Sequence, residues 1–276
     1  MRQFRREFVK ILFQKRTFFG WAGLFLVPFI ITIAIRVSGS GGGPHGGNSQ
    51  GQGADFFFNL IESNGLYVVI GSLFALVTFL LPLLACMAGS QTIAGEAENG
   101  TLRTVLMQPV HRGSLLVTKW FVAMSYIAIG LLVLAIGALI SGGAFFGFGS
   151  LILLTGDVVG TGEGLLLILF AYLFVLFAMA AVVSLAMTLS TLTNSGLTAM
   201  AGSLVLVIIM LILGSLSVFE FLRPYLFTSH FTAWIEFFSR PVDWAPVRDA
   251  LINFAVWSAG MTGIAWFVFK RKDILS

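Results

Sequence analysis

The side chains best suited to chemistry lie in one polar segment, residues 95–119, between two long apolar stretches. Glu96 and Glu98 are near its start, and Thr101 follows Gly100 directly. Carboxylates are favoured before and within the first turn of a helix, and a threonine hydroxyl can cap the free N–H groups of that turn. The pattern therefore predicts a short helix that begins near Gly100.

The rest of the polar segment is consistent with such a helix. Leu102, Val105 and Leu106 would form an apolar face at helical spacing, and Pro109 would end the helix. Two interpretations stay open on these features alone. The segment is either a surface helix that another protein can hold and push, or a capped connection between two membrane helices.

Enzymatic chemistry finds no support in the sequence. Cys86 is the single cysteine, and His45, His111 and His230 are far apart, so we expect neither a disulfide nor a metal site. We find no paired acids and no activated nucleophile, and we expect no catalytic residue. None of the five lysines follows a glycine, which excludes a Walker A loop. The chain itself is expected to bind no cofactor.

Composition places these residues in a membrane protein. Of the 276 residues, 58% are hydrophobic and 10% are charged, against about 25% charged in soluble domains. Residues 63–95, 120–156 and 164–219 contain no charge at all. One membrane crossing requires roughly 20 helical residues. The sequence therefore excludes a soluble globular protein and leaves room for several spans.

We predict an all-α membrane protein, a single transmembrane domain over residues 1–276 with six transmembrane helices. Pro28 and Pro82 are expected to kink the first two spans, and the polar residues 193–196 separate the fourth from the fifth. The short helix of the polar segment would lie between spans 2 and 3. The six spans are predicted at about 17–35, 66–88, 116–140, 165–192, 197–219 and 250–269.

The segments outside the spans have distinct compositions. Residues 1–16 predict a basic amphipathic helix on the membrane surface, with a disordered basic tail as the alternative. Residues 38–53 are half glycine and predict a flexible outer loop. Residues 220–249 mix aromatic, charged and proline residues, which predicts short extracytoplasmic helices, interfacial or re-entrant, before span 6, or an ordinary surface loop. The interfacial helix would use Arg2, Phe4, Arg5, Arg6, Phe8 and Lys10.

The distribution of charge predicts the orientation. With six spans and the N-terminus inside, the cytoplasmic side carries twelve of the sixteen Lys and Arg residues but four of the twelve acids. This bias obeys the positive-inside rule. The net charge of +4 is thus explained by the membrane, and we expect no nucleic-acid partner. The predicted location is the plasma membrane, with many spans and both termini cytoplasmic.

The centres of the six spans carry no Asp, Glu, Lys, Arg or His side chain. Ion-coupled pumps usually keep such groups there, which disfavours a secondary transporter. The polar residues within the spans are interpreted mainly as helix-packing groups. They are Ser125, Tyr126, Tyr172, Ser184, Thr188, Ser203, Asn253 and Ser258.

The polar segment contains a Glu, then Gly-Thr-Leu, a Leu, Pro-Val-x-Arg, a Leu pair and a Lys. In this order and spacing it resembles the signature of the type 2 family of ATP-binding-cassette (ABC) transporter permeases. The basic N-terminal segment, six spans and an aromatic segment before span 6 are similar to the family plan over nearly the whole chain. The long glycine-rich loop departs from its most compact members. The matching residues are Glu96, Gly100, Thr101, Leu102, Leu106, Pro109, Val110, Arg112, Leu115, Leu116 and Lys119.

The resemblance implies partners. Two ABC ATPase subunits would bind ATP and Mg²⁺, and a second permease, identical or related, would complete the pathway. The short helix would act as the coupling helix that the ATPases move. The residues implied in coupling to the ATPase are Glu96, Gly100, Thr101, Leu102, Arg103, Leu106, Pro109, Arg112 and Lys119.

We therefore expect a transport subunit, not an enzyme, in an ATP-driven exporter. Because the spans are uncharged, a hydrophobic or amphipathic cargo such as a drug-like compound, a lipid or a peptide fits better than a bare ion. The alternative is a non-transporting scaffold that transmits ATPase motion to an extracytoplasmic partner. Residues 54–65 and 220–249 would then form the partner surfaces.

Overall fold

The protein, described here as a computed structural model, is built from long helices. The structure describes residues 15–40, 64–98, 100 and 112–271. The predicted interfacial helix of residues 1–16, apart from the two residues that begin the first helix, lies outside these ranges, as does the loop from residue 41 onward. The elements are α1 (Lys15–Ser40), α2 (Leu66–Val77), α3 (Leu80–Ser90), α4 (Ala94–Glu98), α5 (Arg112–Phe146), β1 (Leu151–Ile152), β2 (Val158–Val159), α6 (Thr161–Leu192), α7 (Gly196–Ser215), three 3-10 helices (Ser217–Tyr225, Phe227–His230 and Ala233–Phe238) and α8 (Trp244–Arg271).

Five of these helices are long and apolar enough to cross a membrane: α1, α5, α6, α7 and α8. The pair α2 and α3 passes the same test together and is bent by 57°. The described part of the chain therefore has five candidate spans, or six when the bent pair counts as one. The coarse prediction of an all-α, multi-pass membrane protein is confirmed.

The second span is broken where the sequence predicted a proline kink. The break falls at Thr78 and Phe79, before Pro82, which is the third residue of α3. The first N–H groups of a helix have no intrahelical acceptor, so a proline costs little there. Pro82 thus lies in the first turn of a new helix.

Several helices extend beyond the predicted spans. α1 continues to Ser40, three residues into the predicted flexible loop, and α8 begins at Trp244 instead of near residue 250. α5 covers Arg112–Phe146, whereas α7 stops at Ser215, before residue 219. Hydropathy marks the apolar part of a helix, and backbone hydrogen bonding continues past it until the chain turns.

A small antiparallel hairpin is the only β-structure among the described residues. Leu151 pairs with Val159 and Ile152 with Val158. Its turn contains Gly156 with a φ of +88°, a conformation that glycine adopts without strain. The hairpin occupies the glycine- and phenylalanine-rich stretch before α6. Its strands have two residues each, too few for the sequence to show an alternating pattern.

α6 is the central helix of the bundle. It packs against α2, α3, α5, α7 and α8, while α1 packs against α5 and α2. The face of α6 that meets α3 includes Val183 and Ala186, and Gly89 of α3 lies directly against it. Only a residue without a side chain lets the two backbones approach so closely.

The helix ends form two polar junctions at opposite ends of the bundle. At the Glu96 end, α3 and α6 end, α4 lies between them, and α5 and α7 begin. At the hairpin end, α2 and α6 begin and α5 ends near the β-hairpin. Successive long helices run between these ends in alternating directions, as a multi-pass bundle requires.

Hydrogen bonds close the hairpin end. The Asn64 amide donates to the carbonyls of Gly149 and Ser150 at 2.9 Å each, and Gly65 N–H donates to the Gly147 carbonyl at 2.8 Å. The Tyr67 hydroxyl both donates to and accepts from the Ile152 backbone at 2.8 Å. The start of α2 is therefore held against the end of α5 and the hairpin.

The short helices before α8 also lie at the hairpin end. The third 3-10 helix contacts α6 and α8, and its Trp234, Phe237 and Phe238 are buried there. Leu154 N–H donates to the Phe238 carbonyl at 3.0 Å, which joins this helix to the hairpin. With nine, four and six residues, the three 3-10 helices are too short to span a membrane.

Candidate functional site

A buried ion pair joins the two sides of the polar segment. The Lys119 Nζ atom lies 2.7 Å from Glu96 Oε2, and the side chains are only 4% and 6% exposed. Lys119 is in the second turn of α5, and Glu96 is in the middle of α4. A charge is stable in such a place only with a close partner. The pair therefore holds α4, which precedes residues 101–111, against α5, which follows them.

Ser190 of α6 holds the turn from α3 to α4. Its Oγ atom accepts hydrogen bonds from the backbone N–H groups of Ile93, at 3.1 Å, and Ala94, at 2.8 Å. The same hydroxyl donates to the Ser90 carbonyl at 2.7 Å. One fully buried side chain thus satisfies three backbone groups at the end of α3 and the start of α4.

Glu98, at the end of α4, binds the start of α7. Its Oε2 atom accepts a hydrogen bond from Gly196 N–H at 2.8 Å and a longer one from the Ser195 hydroxyl at 3.4 Å. A carboxylate at a helix N-terminus satisfies a free N–H group and interacts favourably with the helix dipole. α4 is therefore linked to α5 by Glu96, to α6 by Ser190 and to α7 by Glu98.

The structure describes part of the predicted coupling site. It brings Glu96 and Lys119 together and shows Gly100 with a φ of +67°, which favours glycine. Arg112 is the first residue of α5. The other predicted coupling residues lie outside the described ranges, as do the residues of the predicted interfacial helix. These are Thr101, Leu102, Arg103, Leu106 and Pro109, and Arg2, Phe4, Arg5, Arg6, Phe8 and Lys10.

A second polar cluster lies deeper in the bundle, around the buried hydroxyl of Ser184. It donates to the Ala180 carbonyl of its own helix at 2.8 Å and accepts a hydrogen bond from the Trp120 indole N–H of α5, also at 2.8 Å. The hydroxyls of Ser258 and Thr262, both in α8, lie 3.0 and 3.2 Å from the same oxygen. Ser184 therefore joins three spans.

A groove opens beside this cluster, between α5, α6 and α8. Its volume is about 370 Å³. Most of its surface is apolar, and three of its lining residues, Trp120, Ser258 and Thr262, hydrogen-bond with Ser184. The lining residues are Val117, Trp120, Phe177, Ala180, Ala255, Ser258, Ala259 and Thr262.

Sequence reasoning predicted Glu96 and Lys119 but missed their neighbours. Ser190 and Trp120 carry no local signal because their partners are far away in the chain. Ser184 was interpreted as a helix-packing residue, and its contacts agree with that interpretation. The sequence predicts that Glu98 favours a helix that follows it, in residues outside the described ranges, and the structure adds that Glu98 caps α7, about 100 residues later. An acidic residue before a turn indicates that Glu98 caps a helix, but the sequence does not show which helix it caps.

Across the described ranges, no three His, Cys, Asp or Glu side chains come together as a possible metal site.

The ion pairs differ between the two ends of the bundle. Glu96 and Lys119 are buried, whereas Glu163 pairs with Arg240 near the hairpin end and both side chains are about half exposed. The buried charge pair is thus a particular property of the Glu96 end.

These features define a class of protein: a multi-pass helical membrane protein with a braced polar junction at one end of its bundle. A family model described as "ABC-2 family transporter protein" matches residues 4–274, nearly the whole chain. The chain belongs to this family.

Two curated relatives share a shorter stretch. The probable ABC transporter permease protein NosY of Pseudomonas aeruginosa is 45% identical over 51 residues, and NosY of Stutzerimonas stutzeri is likewise 45% identical over 51 residues. In each case the matched stretch covers 18% of this chain and 18% of the relative. The similarity to these two proteins is therefore local.

Proposed function

We propose that the chain is the membrane-spanning permease subunit of an ATP-driven ABC exporter of hydrophobic or amphipathic compounds, such as drug-like molecules, lipids or peptides. Its family and the names of its two relatives support a permease. A partner ATPase would supply the energy and bind ATP and Mg²⁺. Two such ATPase subunits and a second permease would complete the transporter in the plasma membrane.

The observation that carries this proposal is the buried ion pair between Glu96 and Lys119. It brackets residues 101–111, the segment that we expect the ATPase to move. α4 is bound to α5, α6 and α7 by charged or hydrogen-bonded contacts. A push on this segment would therefore reach three helices together. If α4 met these three helices only through apolar contacts, it could slide past them without moving them.

The experiment compares two carboxylate substitutions in the complex with its ATPase, reconstituted in vesicles. Glu96→Gln leaves Lys119 buried without its counter-charge, which costs about 3–5 kcal/mol when a buried pair is broken. We expect ATP hydrolysis to continue while ATP-dependent transport of an amphipathic dye, rhodamine 6G, falls at least about tenfold. The matched control is Glu163→Gln, which breaks the exposed pair with Arg240 at the other end of the bundle. It should leave the ratio of transport to hydrolysis unchanged.

Two further variants complete the experiment: an exchange of the two charges, and an ATPase that cannot hydrolyse ATP. The exchange of charges, Glu96→Lys with Lys119→Glu, restores the attraction, so coupling should partly return. Replacing the Walker A lysine of the ATPase should abolish dye transport. If Glu96→Gln keeps coupled transport, the coupling role is wrong. If the ATPase binds and hydrolyses ATP but no cargo crosses the vesicle membrane, the chain acts as a scaffold.

A further inference from the structure

The last two turns of α8 have a buried side and an exposed side. Phe269 is only 1% exposed and belongs to the apolar cluster that α8 forms with the start of α5. Trp266 and Phe267 are 48% and 49% exposed, and Lys270 and Arg271, four residues after each of them, are exposed too. Side chains four residues apart lie on the same side of a helix. Each exposed ring is therefore followed by a cation.

Both cations lie over these rings. The Arg271 Cζ atom is 4.0 Å from the centre of the Phe267 ring, and the Lys270 Nζ atom is 5.3 Å from the centre of the Trp266 ring. A guanidinium that lies on an aromatic ring still presents a rigid fork of N–H donors, which matches the oxygens of a phosphate. The ring of Phe267 thus holds Arg271 in a position from which it can bind an anion.

Arg271 has kept its charge free of an internal partner. Among the residues that the structure describes, no carboxylate forms an ion pair with it. At the opposite end of α8, Arg248 binds Asp249 at 3.0 Å. Two more arginines toward that end also pair with a carboxylate, namely Arg223 and Arg240. The N–H donors of Arg271 are therefore available to an anion from outside the bundle.

An exposed apolar stripe runs along α8 from Arg271 toward the middle of the helix. Gly260, Ile264, Phe267 and Arg271 follow one another at spacings of four, three and four residues, which place them on one side of the helix. A Cβ atom at Gly260 would meet nothing within 4 Å, so this side is open. From Arg271 to Gly260 the helix rises about 16 Å, close to half of the roughly 30 Å hydrocarbon core. The stripe has the length of one leaflet.

We propose that this face of α8 binds an anionic phospholipid, with the phosphate at Arg271 and Lys270 and an acyl chain along the stripe. In the predicted orientation this end of the bundle faces the cytoplasm, and the cytoplasmic leaflet is the one that carries anionic lipids. A neutral lipid would cover the stripe but leave the cations without a counter-charge. The inference goes beyond transport and holds whether or not the chain exports a cargo.

The test identifies the lipids that stay bound to the purified full chain. The chain is solubilised in a mild detergent from vesicles of equal parts phosphatidylglycerol and phosphatidylcholine, and the retained lipids are quantified by mass spectrometry. We expect roughly tenfold more phosphatidylglycerol than phosphatidylcholine, because each Lys or Arg near the membrane surface contributes a factor of about five. The double variant Lys270→Gln with Arg271→Gln should lower this preference at least about fivefold.

Arg248→Gln is the matched control. It removes a cation that is 70% exposed at the other end of α8 but already paired with Asp249, so the lipid ratio should not change. Arg271→Lys keeps the charge and loses the fork of donors, and it should give an intermediate preference. Equal retention of the two lipids by the unaltered chain, a comparison that needs no variant, would overturn the proposal. An unchanged ratio in the double variant would overturn it as well.

An acidic surface of the partner ATPase is the competing occupant, because we expect the ATPase at the same end of the bundle. Such a surface would fit the cations but would leave the apolar stripe uncovered. Co-purification of the ATPase with the double variant separates the two occupants. Weakened ATPase binding with an unchanged lipid ratio would assign the face to the ATPase and refute the lipid site. The lipid assay contains no ATPase, so its result is independent of the coupling experiment.

Discussion

Single polar side chains at the Glu96 end connect parts of the chain that are far apart in sequence. Ser190 bonds three backbone groups of the turn between α3 and α4. Glu98 binds the N-terminus of α7, and Lys119 neutralises the Glu96 charge. Each contact satisfies a group whose burial alone would be unfavourable. These residues therefore determine where α4 lies.

Replacement of Ser190 tests this role. In Ser190→Ala, the N–H groups of Ile93 and Ala94 lose their acceptor inside the bundle. We expect the free energy of unfolding to fall by about 1–3 kcal/mol, the cost of leaving buried polar groups unpaired. Denaturation in mixed micelles measures it. Ser125→Ala, which removes a bond within one helix, should change it by less than about 1 kcal/mol, and equal effects of the two variants would contradict the role of Ser190.

At the scale of elements, glycine determines which helices approach most closely. Gly89 lets α3 lie against α6, and Gly65 lets the start of α2 lie against the Gly142 backbone of α5. In a membrane, where lipid competes for apolar contacts, such close approach of backbones supplies much of the packing energy. The bend between α2 and α3 turns the second span so that both halves reach α6.

The same substitution at two glycines should have opposite effects. A Cβ atom at Gly89 would lie 2.7 Å from both the Ala186 Cβ atom and the Val183 carbonyl oxygen, so Gly89→Ala requires α3 and α6 to separate. We expect a loss of about 1–3 kcal/mol in the free energy of unfolding. Gly263 of α8 has no neighbour within 4 Å of such an atom, and Gly263→Ala should be neutral or stabilising by up to about 1 kcal/mol. Equal destabilisation by both variants would refute the close-packing argument.

On the scale of the whole molecule, the two ends of the bundle differ in charge. Of the residues that the structure describes, Lys119, Lys270 and Arg271 lie at the Glu96 end, whereas the hairpin end carries several acids, among them Glu163 and Glu220. Positive charge is retained on the cytoplasmic side of a membrane. The proposed orientation therefore places the Glu96 end in the cytoplasm, where an ATPase can reach it.

Cysteine labelling tests this orientation. Cys86 is fully buried, and Cys86→Ala provides a background without thiols. Glu220→Cys, at a side chain that is 74% exposed, should react with a membrane-impermeant maleimide in intact cells. Lys270→Cys should react only after permeabilisation. The reverse pattern would invert the topology and place the coupling segment outside the cell.

The sequence by itself determined the class of this protein and the approximate course of its spans. Transfer of an apolar segment into lipid depends on the residues of that segment alone, so long windows without charge are informative without any tertiary structure. The turn at 193–196 was equally local. The sequence predicted a kink at Pro82 but not a break before it, because the break depends on how α2 and α3 pack against α6. The strands of the hairpin were not predicted, because two residues are too few to show an alternating pattern.

Only the tertiary structure decided how the polar residues are paired. Glu98 and Gly196, Ser190 and Ala94, and Trp120 and Ser184 are separated by 98, 96 and 64 positions. The sequence reveals that such side chains are polar, but their partners depend on which helices pack together. That choice is made by contacts such as Gly89 against α6, whose energy depends on shape in three dimensions.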